Sequence, residues 1–256
     1  MSSQTTVNSV LEVRGISKHF GGVKALDSLD LDVRPGEIVS LVGDNGAGKS
    51  TFVKLVSGLH RPTAGEMRIQ DRVVHIGSPS EARNLGIETV YQDTGLVDVM
   101  DLGDNFFLGR ELFHPNPVLR ALGHLDRRRM HRIAKESVTE IGAKFTGTRK
   151  KPVGQLSGGQ RASILTGRAA YFGGTLLLLD EPTAALGVEQ SKAVLDISRR
   201  VADKGLAIIM VTHNMEEVFA VSDRIIVLRL GRKAAELSPS ESSANDVVAY
   251  ITGARS

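Results

Sequence analysis

The chain has 256 residues, 41% of them hydrophobic, a formal net charge of +3 and no cysteine. That length holds one large α/β domain or two small ones, and without cysteine there are neither disulfides nor thiolate metal sites. No uninterrupted apolar stretch approaches the roughly 20 residues that cross a bilayer, and residues 1–6 have neither the basic nor the apolar region of a secretory signal. The expectation is a soluble protein that serves a membrane, if at all, as a peripheral subunit.

In chain order, residues 11–33 read as short strands punctuated by Gly21-Gly22 and then by Pro35-Gly36. Residues 37–42 (Glu37-Ile38-Val39-Ser40-Leu41-Val42) form an apolar, partly β-branched run that predicts a buried strand. Gly43-Asp44-Asn45-Gly46-Ala47-Gly48-Lys49-Ser50 follows at once and fits the pattern G-x-x-x-x-G-K-[ST]. Residues 49–57 then have helical spacing, with Phe52, Leu55 and Val56 on one side. Strand, Gly-rich turn and helix together are the context that a phosphate-binding loop requires. Its glycines lack a Cβ, so the backbone can bend tightly and aim N–H groups at phosphate oxygens, while the helix N-terminus adds positive potential. Lys49 is placed for the β- and γ-phosphates, and the Ser50 hydroxyl, ahead of Thr51, for Mg²⁺.

Residues 66–74 continue the β-rich pattern, Ser78-Pro79 predicts a helix start with its N-cap and N1 residues in preferred positions, and residues 87–91 predict another strand. From about residue 94 to 154 the pattern turns helical, at 104–110 and 127–141. Two basic clusters, Arg127-Arg128-Arg129 and Arg149-Lys150-Lys151, flank these helices. They read as solvated helix ends, and no aromatic residues interleave with them to stack nucleic-acid bases. Residues 96–112 are rich in apolar side chains; about half should pack inside the helical lobe. The rest should form a groove for a partner helix, with Phe106 or Phe107 as its exposed anchor.

Leu156-Ser157-Gly158-Gly159-Gln160 precedes a helical pattern through Ile164, Leu165, Ala169 and Tyr171. Ser157 is placed as an N-cap, and the glycines let an anion approach the helix N-terminus. Two phosphate-gripping half-sites with a single phosphate loop predict that one chain's second motif covers the nucleotide on another, as in a head-to-tail dimer. Leu176-Leu177-Leu178-Leu179 predicts a central strand that delivers Asp180 to its C-terminal tip, the edge at which open α/β sheets bind ligands. Asp180 suits Mg²⁺, and Glu181 suits an attacking water. Residues 206–211 and 224–228 predict two more buried strands with a helix at 214–220 between them. His213 thereby comes to a strand tip on the same edge. Residues 238–243 are a polar break before a last short helix at 245–251. The whole predicts an α/β fold with a mostly parallel, helix-covered sheet over residues 9–256, an insertion of helices at about 94–160 and a tail at about 236–256.

These ordered motifs resemble those of ATP-binding cassette (ABC) ATPases over nearly the whole chain. The resemblance implies a P-loop NTPase with a RecA-like core, an antiparallel β-subdomain and a helical subdomain. It makes Gly43 to Ser50 the Walker A loop, Leu176 to Asp180 Walker B, Leu156 to Gln160 the signature and Gln92, in Val90-Tyr91-Gln92-Asp93, the Q-loop glutamine, a ligand of Mg²⁺. It further makes Glu181 the catalytic glutamate, His213 the switch histidine and Phe20 the aromatic that stacks on adenine. Tyr91-Gln92-Asp93, Phe107-Leu108-Gly109-Arg110-Glu111 and Thr183-Ala184-Ala185-Leu186-Gly187 are similar to the monosaccharide-importer branch. Three features are departures: one cassette where that branch usually fuses two, Gly187 where many ABC proteins have Asp although the sugar branch often lacks it, and Thr166-Gly167-Arg168 in place of the usual Ala-rich run after the signature. The implied protein hydrolyses ATP with Mg²⁺ at the cytoplasmic face of the cell membrane, as a homodimer. Its partners would be permease subunits and, indirectly, a solute-binding protein, with no nucleic acid. An importer for amino acids or another small solute, or a non-transport ABC ATPase, are the alternatives.

Overall fold

The computed structural model describes residues 9–91, 95–142, 151–184 and 186–255. In chain order the strands are β1 (Leu11–Phe20), β2 (Val23–Val33), β3 (Ile38–Gly43), β4 (Ala64–Ile69), β5 (Arg72–Val74), β6 (Ile87–Val90), β7 (Leu176–Asp180), β8 (Ala207–Val211), β9 (Arg224–Arg229) and β10 (Arg232–Leu237). The helices are α1 (Lys49–Val56), α2 (Pro79–Asn84), α3 (Leu102–Phe106), α4 (Pro117–Ala121), α5 (Arg127–Glu140), α6 (Gly158–Phe172), α7 (Val188–Asp203), α8 (Met215–Val221) and α9 (Ala244–Thr252).

The first sheet is antiparallel, in the order β2-β1-β4-β5. The second runs β10-β9-β3-β8-β7-β6 and is parallel from β9 to β6, with β10 added antiparallel at its edge. Strands β3, β7 and β8 are apolar nearly throughout and buried along almost their whole length, because a parallel sheet is covered on both faces. One core cluster joins the antiparallel sheet, α1 and one face of the parallel sheet. A second joins the other face to α3, α5, α6 and α7. The layers are therefore sheet, sheet and helical lobe.

Register aligns the strand ends that matter. Val211 of β8 pairs with Leu41 of β3 on one side and with Asp180 of β7 on the other. Whatever follows these three residues is brought to a single edge.

Most predicted elements appear within a residue or two of expectation, α2 included: Ser78 accepts a hydrogen bond from the Glu81 N–H, with Pro79 in the first turn. The helix expected at 104–110 instead spans Leu102–Phe106. Asp101 caps it by accepting from the Asp104 N–H at 2.9 Å. The buried Asn105 side chain then ties it to the preceding loop, accepting from the Val97 N–H and donating to the Val97, Met100 and Asp101 carbonyls. Gly167, expected to cost about 1 kcal/mol of helix propensity relative to Ala, has a packing reason. A Cβ there would lie 3.2 Å from both the Ile141 and the Val138 side chains, so the glycine permits the close approach of α5 to α6.

The expected exposed anchor is not there. Phe106 is 0% and Phe107 1% exposed; both rings pack against Tyr171 and Phe172 at the end of α6, with centroids 5.4–6.1 Å apart. Burying them against an aromatic pair from another helix outweighs presenting either to solvent. The exposed large apolar and aromatic side chains among the described residues of this lobe include instead Val97, Val99, Phe113, Val118, Leu122 and the half-exposed Tyr171, with Val99 at 83%. Arg127, Arg128 and Arg129 are exposed at the start of α5, a solvated helix end as expected. Arg149 and Lys150 lie outside the described residues.

Candidate active site

Three neighbouring strand tips build the site. After β3 the chain enters the Gly-rich loop and α1; after β8 comes His213; at the end of β7 stand Asp180 and Glu181. Since β8 lies between β3 and β7, His213 sits on the middle tip.

The loop needs its glycines. Gly43, Gly46 and Gly48 have φ of 154°, 79° and 110°, which side chains with a Cβ adopt only with strain. At Gly43 a Cβ would fall 2.3 Å from the Leu228 carbonyl oxygen, and at Gly48 2.7 Å from that of Ala25. Around Gly46 nothing lies within 4 Å of that position, so the outer side of the loop is an open, backbone-lined cradle. Asp44, Asn45 and Gly46 are exposed and Ala47 is buried, while the Asn45 N–H donates to the Asp44 carboxylate at 2.7 Å. Helix α1 starts at Gly48 without a side-chain cap, which leaves its first N–H groups to a ligand.

Lys49 Nζ donates to the carbonyls of Gly43 at 2.7 Å and Asp44 at 2.9 Å, which holds the ammonium at the loop. Burial lowers the Lys49 pKa, opposed by the charges of Glu181, Asp44 and Asp180. Asp180 is pushed up, first by burial and then by Glu181, against the pull of Lys49 and Lys54. Burial and charge thus act on the loop lysine and on the carboxylate at the β7 tip together. Ser50 is exposed and Thr51 half-buried beside it. The Ser50 hydroxyl at the start of α1 and the Asp180 carboxylate at the β7 tip are donors of the kind that fit Mg²⁺ with a phosphate chain, since Mg²⁺ takes oxygen donors and is usually held by one or two carboxylates plus substrate phosphates.

Glu181 has φ of 50°, a left-handed conformation that non-glycine residues adopt at a cost and that concentrates at functional sites. Its N–H donates to the Val211 carbonyl at 2.9 Å. His213 Nδ1 lies 3.2 Å from Glu181 Oε1, and the histidine side chain is 74% exposed.

Ser157 caps α6 as expected, within a capping box: Gln160 N–H donates to Ser157 Oγ at 3.3 Å, and Ser157 N–H to Gln160 Oε1 at 3.1 Å. Gly158 and Gly159 pack against Leu186 and Gln190 at the start of α7. Among the described residues no hydrogen bond links residues 157–160 with residues 43–51. Phe20, at the end of β1, is 44% exposed; His60 lies edge-on to its ring at 5.3 Å and Lys18 Nζ 5.1 Å from its centroid. Gln92 lies outside the described residues.

Sequence reasoning passed over Glu217, Thr183 and Thr212. All three are buried, and both threonine hydroxyls donate to Glu217 Oε2. Glu217 looks in sequence like an ordinary first-turn acidic residue. The available signal was its place four residues after His213, next to the apolar Val218.

Residues 26–184 match the family model described as ABC transporter. The fructose import ATP-binding protein FrcA of Rhizobium meliloti is 43% identical over 96% of this chain and 95% of its own. The xylose/arabinose import ATP-binding protein XylG of Sulfolobus acidocaldarius is 37% identical over the same shares. A solved dimeric ATP-binding cassette in a post-hydrolysis state with ADP and phosphate matches the fold with a TM-score of 0.72, at 22% identity over 90% of this chain and 98% of that one. With most of the chain spanned by both the family model and these relatives, and with a phosphate loop, a capped Ser-Gly-Gly helix start and a strand-tip carboxylate pair in that order, the chain belongs to the ABC transporter family.

Proposed function

We propose that this chain is the ATP-hydrolysing subunit of an ABC importer that energises uptake of a simple sugar through a separate membrane permease. The observation that carries the reading is the meeting of Lys49, Asp180, Glu181 and His213 at adjacent tips of one parallel sheet. The fructose and xylose/arabinose import names of relatives spanned to 95% of their length support the solute class. No helix among the described residues is long and apolar enough to cross a membrane, in keeping with a peripheral subunit at the cytoplasmic face.

The loop N–H groups and Lys49 grip the phosphate chain of ATP. Ser50 and Asp180, together with Gln92, would hold Mg²⁺, which when bound neutralises charge on the β- and γ-phosphate oxygens. Glu181 accepts a proton from the water that attacks the γ-phosphorus, as the bond to the β–γ bridging oxygen breaks and ADP leaves. His213, whose Nδ1 pairs with Glu181 Oε1 at 3.2 Å, offers its exposed ring to the γ-phosphate. Phe20 offers a ring face to adenine. Ser157, Gly158, Gly159 and Gln160 of a second copy cover the γ-phosphate from the other side, so two chains in head-to-tail symmetry complete two sites. A cassette of the same fold, solved with ADP and phosphate, is itself dimeric.

Reconstitution with the co-encoded permease and binding protein tests the reading. Mg²⁺-dependent phosphate release should rise when the binding protein carries a monosaccharide. Stimulation by amino acids instead would move the chain to another importer class, and no stimulation by any solute would remove the transport role.

A further inference from the structure

Glu217 stands in the first turn of α8 and is 7% exposed. A glutamate so buried ordinarily faces a cation. This one accepts hydrogen bonds from two neutral hydroxyls instead, Thr183 Oγ1 at 2.7 Å and Thr212 Oγ1 at 3.2 Å, both on its Oε2. The two threonines come from different strand tips. Thr183 lies two residues beyond Glu181, in the turn after β7; Thr212 immediately precedes His213, after β8. Thr212 Oγ1 also accepts from the Asn214 N–H at 3.1 Å, so the same network shapes the turn that carries His213.

We propose that Glu217 is a positioning residue for ATP hydrolysis, which fastens the turns bearing Glu181 and His213 to one another from behind the site. This rests on the reading of Glu181 and His213 as the hydrolytic pair. The need for a fastener is visible in the backbone. Glu181 is held left-handed at φ 50°, and such a conformation persists only where its surroundings over-determine it. The Val211 carbonyl holds its N–H on one side, and the Thr183–Glu217 bond holds the chain two residues on. With that second anchor gone, the turn can relax and carry the Glu181 carboxylate off the line of attack. A misplacement of about 1 Å is enough to cost on the order of 10²-fold in rate.

Glu217→Leu removes both hydrogen bonds at similar side-chain volume. Glu217→Gln keeps a carbonyl oxygen with two lone pairs for the same two donors. The expected result is a 10- to 100-fold fall in kcat for the Leu variant with the KM for ATP within about two-fold, and recovery to within about five-fold of the parent by Gln. A residue that acts through Glu181 has nothing further to lose once Glu181 is disabled. On a Glu181→Gln background, Glu217→Leu should therefore leave the residual turnover where it is.

Glu217→Leu with parental kcat would overturn the proposal, as would a Gln variant as poor as Leu, or losses that multiply in the double variant. If Leu does not fold, Thr183→Val removes one of the two bonds and is judged by the same split of kcat from KM. Parental turnover by Glu181→Gln alone would instead bring down the underlying reading of the hydrolytic pair.

Discussion

His213 Nδ1 and Glu181 Oε1 are 3.2 Å apart across the tips of two adjacent parallel strands, and the glutamate reaches that position with its backbone in the left-handed region. Chemistry and strain therefore meet at one residue. Glu181→Gln keeps the shape and loses the proton acceptor; ATP binding should persist, a nucleotide-bound dimer should accumulate, and turnover should drop by about 10²–10⁴-fold. Phosphate release and size-exclusion chromatography with ATP measure both. The strain has its own signature. At ordinary φ, Ala is more stable than Gly by about 0.4–1 kcal/mol; at position 181 the left-handed backbone adds about 1–2 kcal/mol against Ala, so Glu181→Gly should melt at or above Glu181→Ala.

Ser157→Arg should separate binding from turnover. The phosphate loop is a different part of the same chain, so nucleotide affinity of the monomer should stay within about two-fold, a change of under 0.5 kcal/mol. Turnover should collapse, because a bulky side chain at the start of α6 blocks the surface offered to a second copy. Titration with a fluorescent nucleotide and a steady-state assay decide it. A matching loss of monomer affinity would contradict the shared site.

Asp180 predicts a pH dependence of the nucleotide-free protein. Its folded-state pKa is raised, chiefly by burial, so the folded protein takes up this proton more readily than the unfolded chain. This contribution to stability is fully present below the ordinary carboxylate range and is lost as pH rises through the raised value. Asp180→Asn removes the penalty, so its Tm should exceed the parent's at pH 7–8, by about 2–4 °C for each kcal/mol recovered. The advantage should shrink on acidification into the carboxylate range. Calorimetry across pH 4–8 checks the sign, and activity should fall in the same variant.

The buried and exposed apolar residues of the helical lobe should behave oppositely. Phe106→Ala empties a position packed against Tyr171 and Phe172 and should cost about 3–5 kcal/mol. Val99→Ser and Phe113→Ser alter exposed side chains and should stay within about 0.5 kcal/mol of the parent, with basal hydrolysis intact. Permease-stimulated hydrolysis is where they should show a loss. If both changes leave stimulation and complex assembly untouched, the permease contact lies elsewhere.

The legible parts of this molecule were those in which local chemistry and tertiary structure agree. Lys49, Ser50, Asp180 and His213 came to one edge as read because apolar runs of five or six residues with parallel register leave little freedom in where a strand ends. The Ser78 and Ser157 caps were legible because an N-cap is a contact between near neighbours in sequence. Phe106 and Phe107 were misjudged because their partners, Tyr171 and Phe172, lie more than sixty residues away and no local pattern announces them. Glu217 escaped notice for the same reason: its role depends on Thr183, thirty-four residues earlier. Helix α4 was also missed, although Asn116 and Pro117 supply a cap and a first-turn proline; its residues are largely exposed and show no apolar stripe to detect.

The box between Ser157 and Gln160 closes within a single chain. The helix start that one copy would offer to another in the proposed dimer is thus formed before the two meet, and this part of the surface needs no ordering on contact. Ordering costs of that kind slow assembly and must be recovered at every separation. In the proposed dimer, a preformed Ser157 cap would add no such cost to each joining of the two copies.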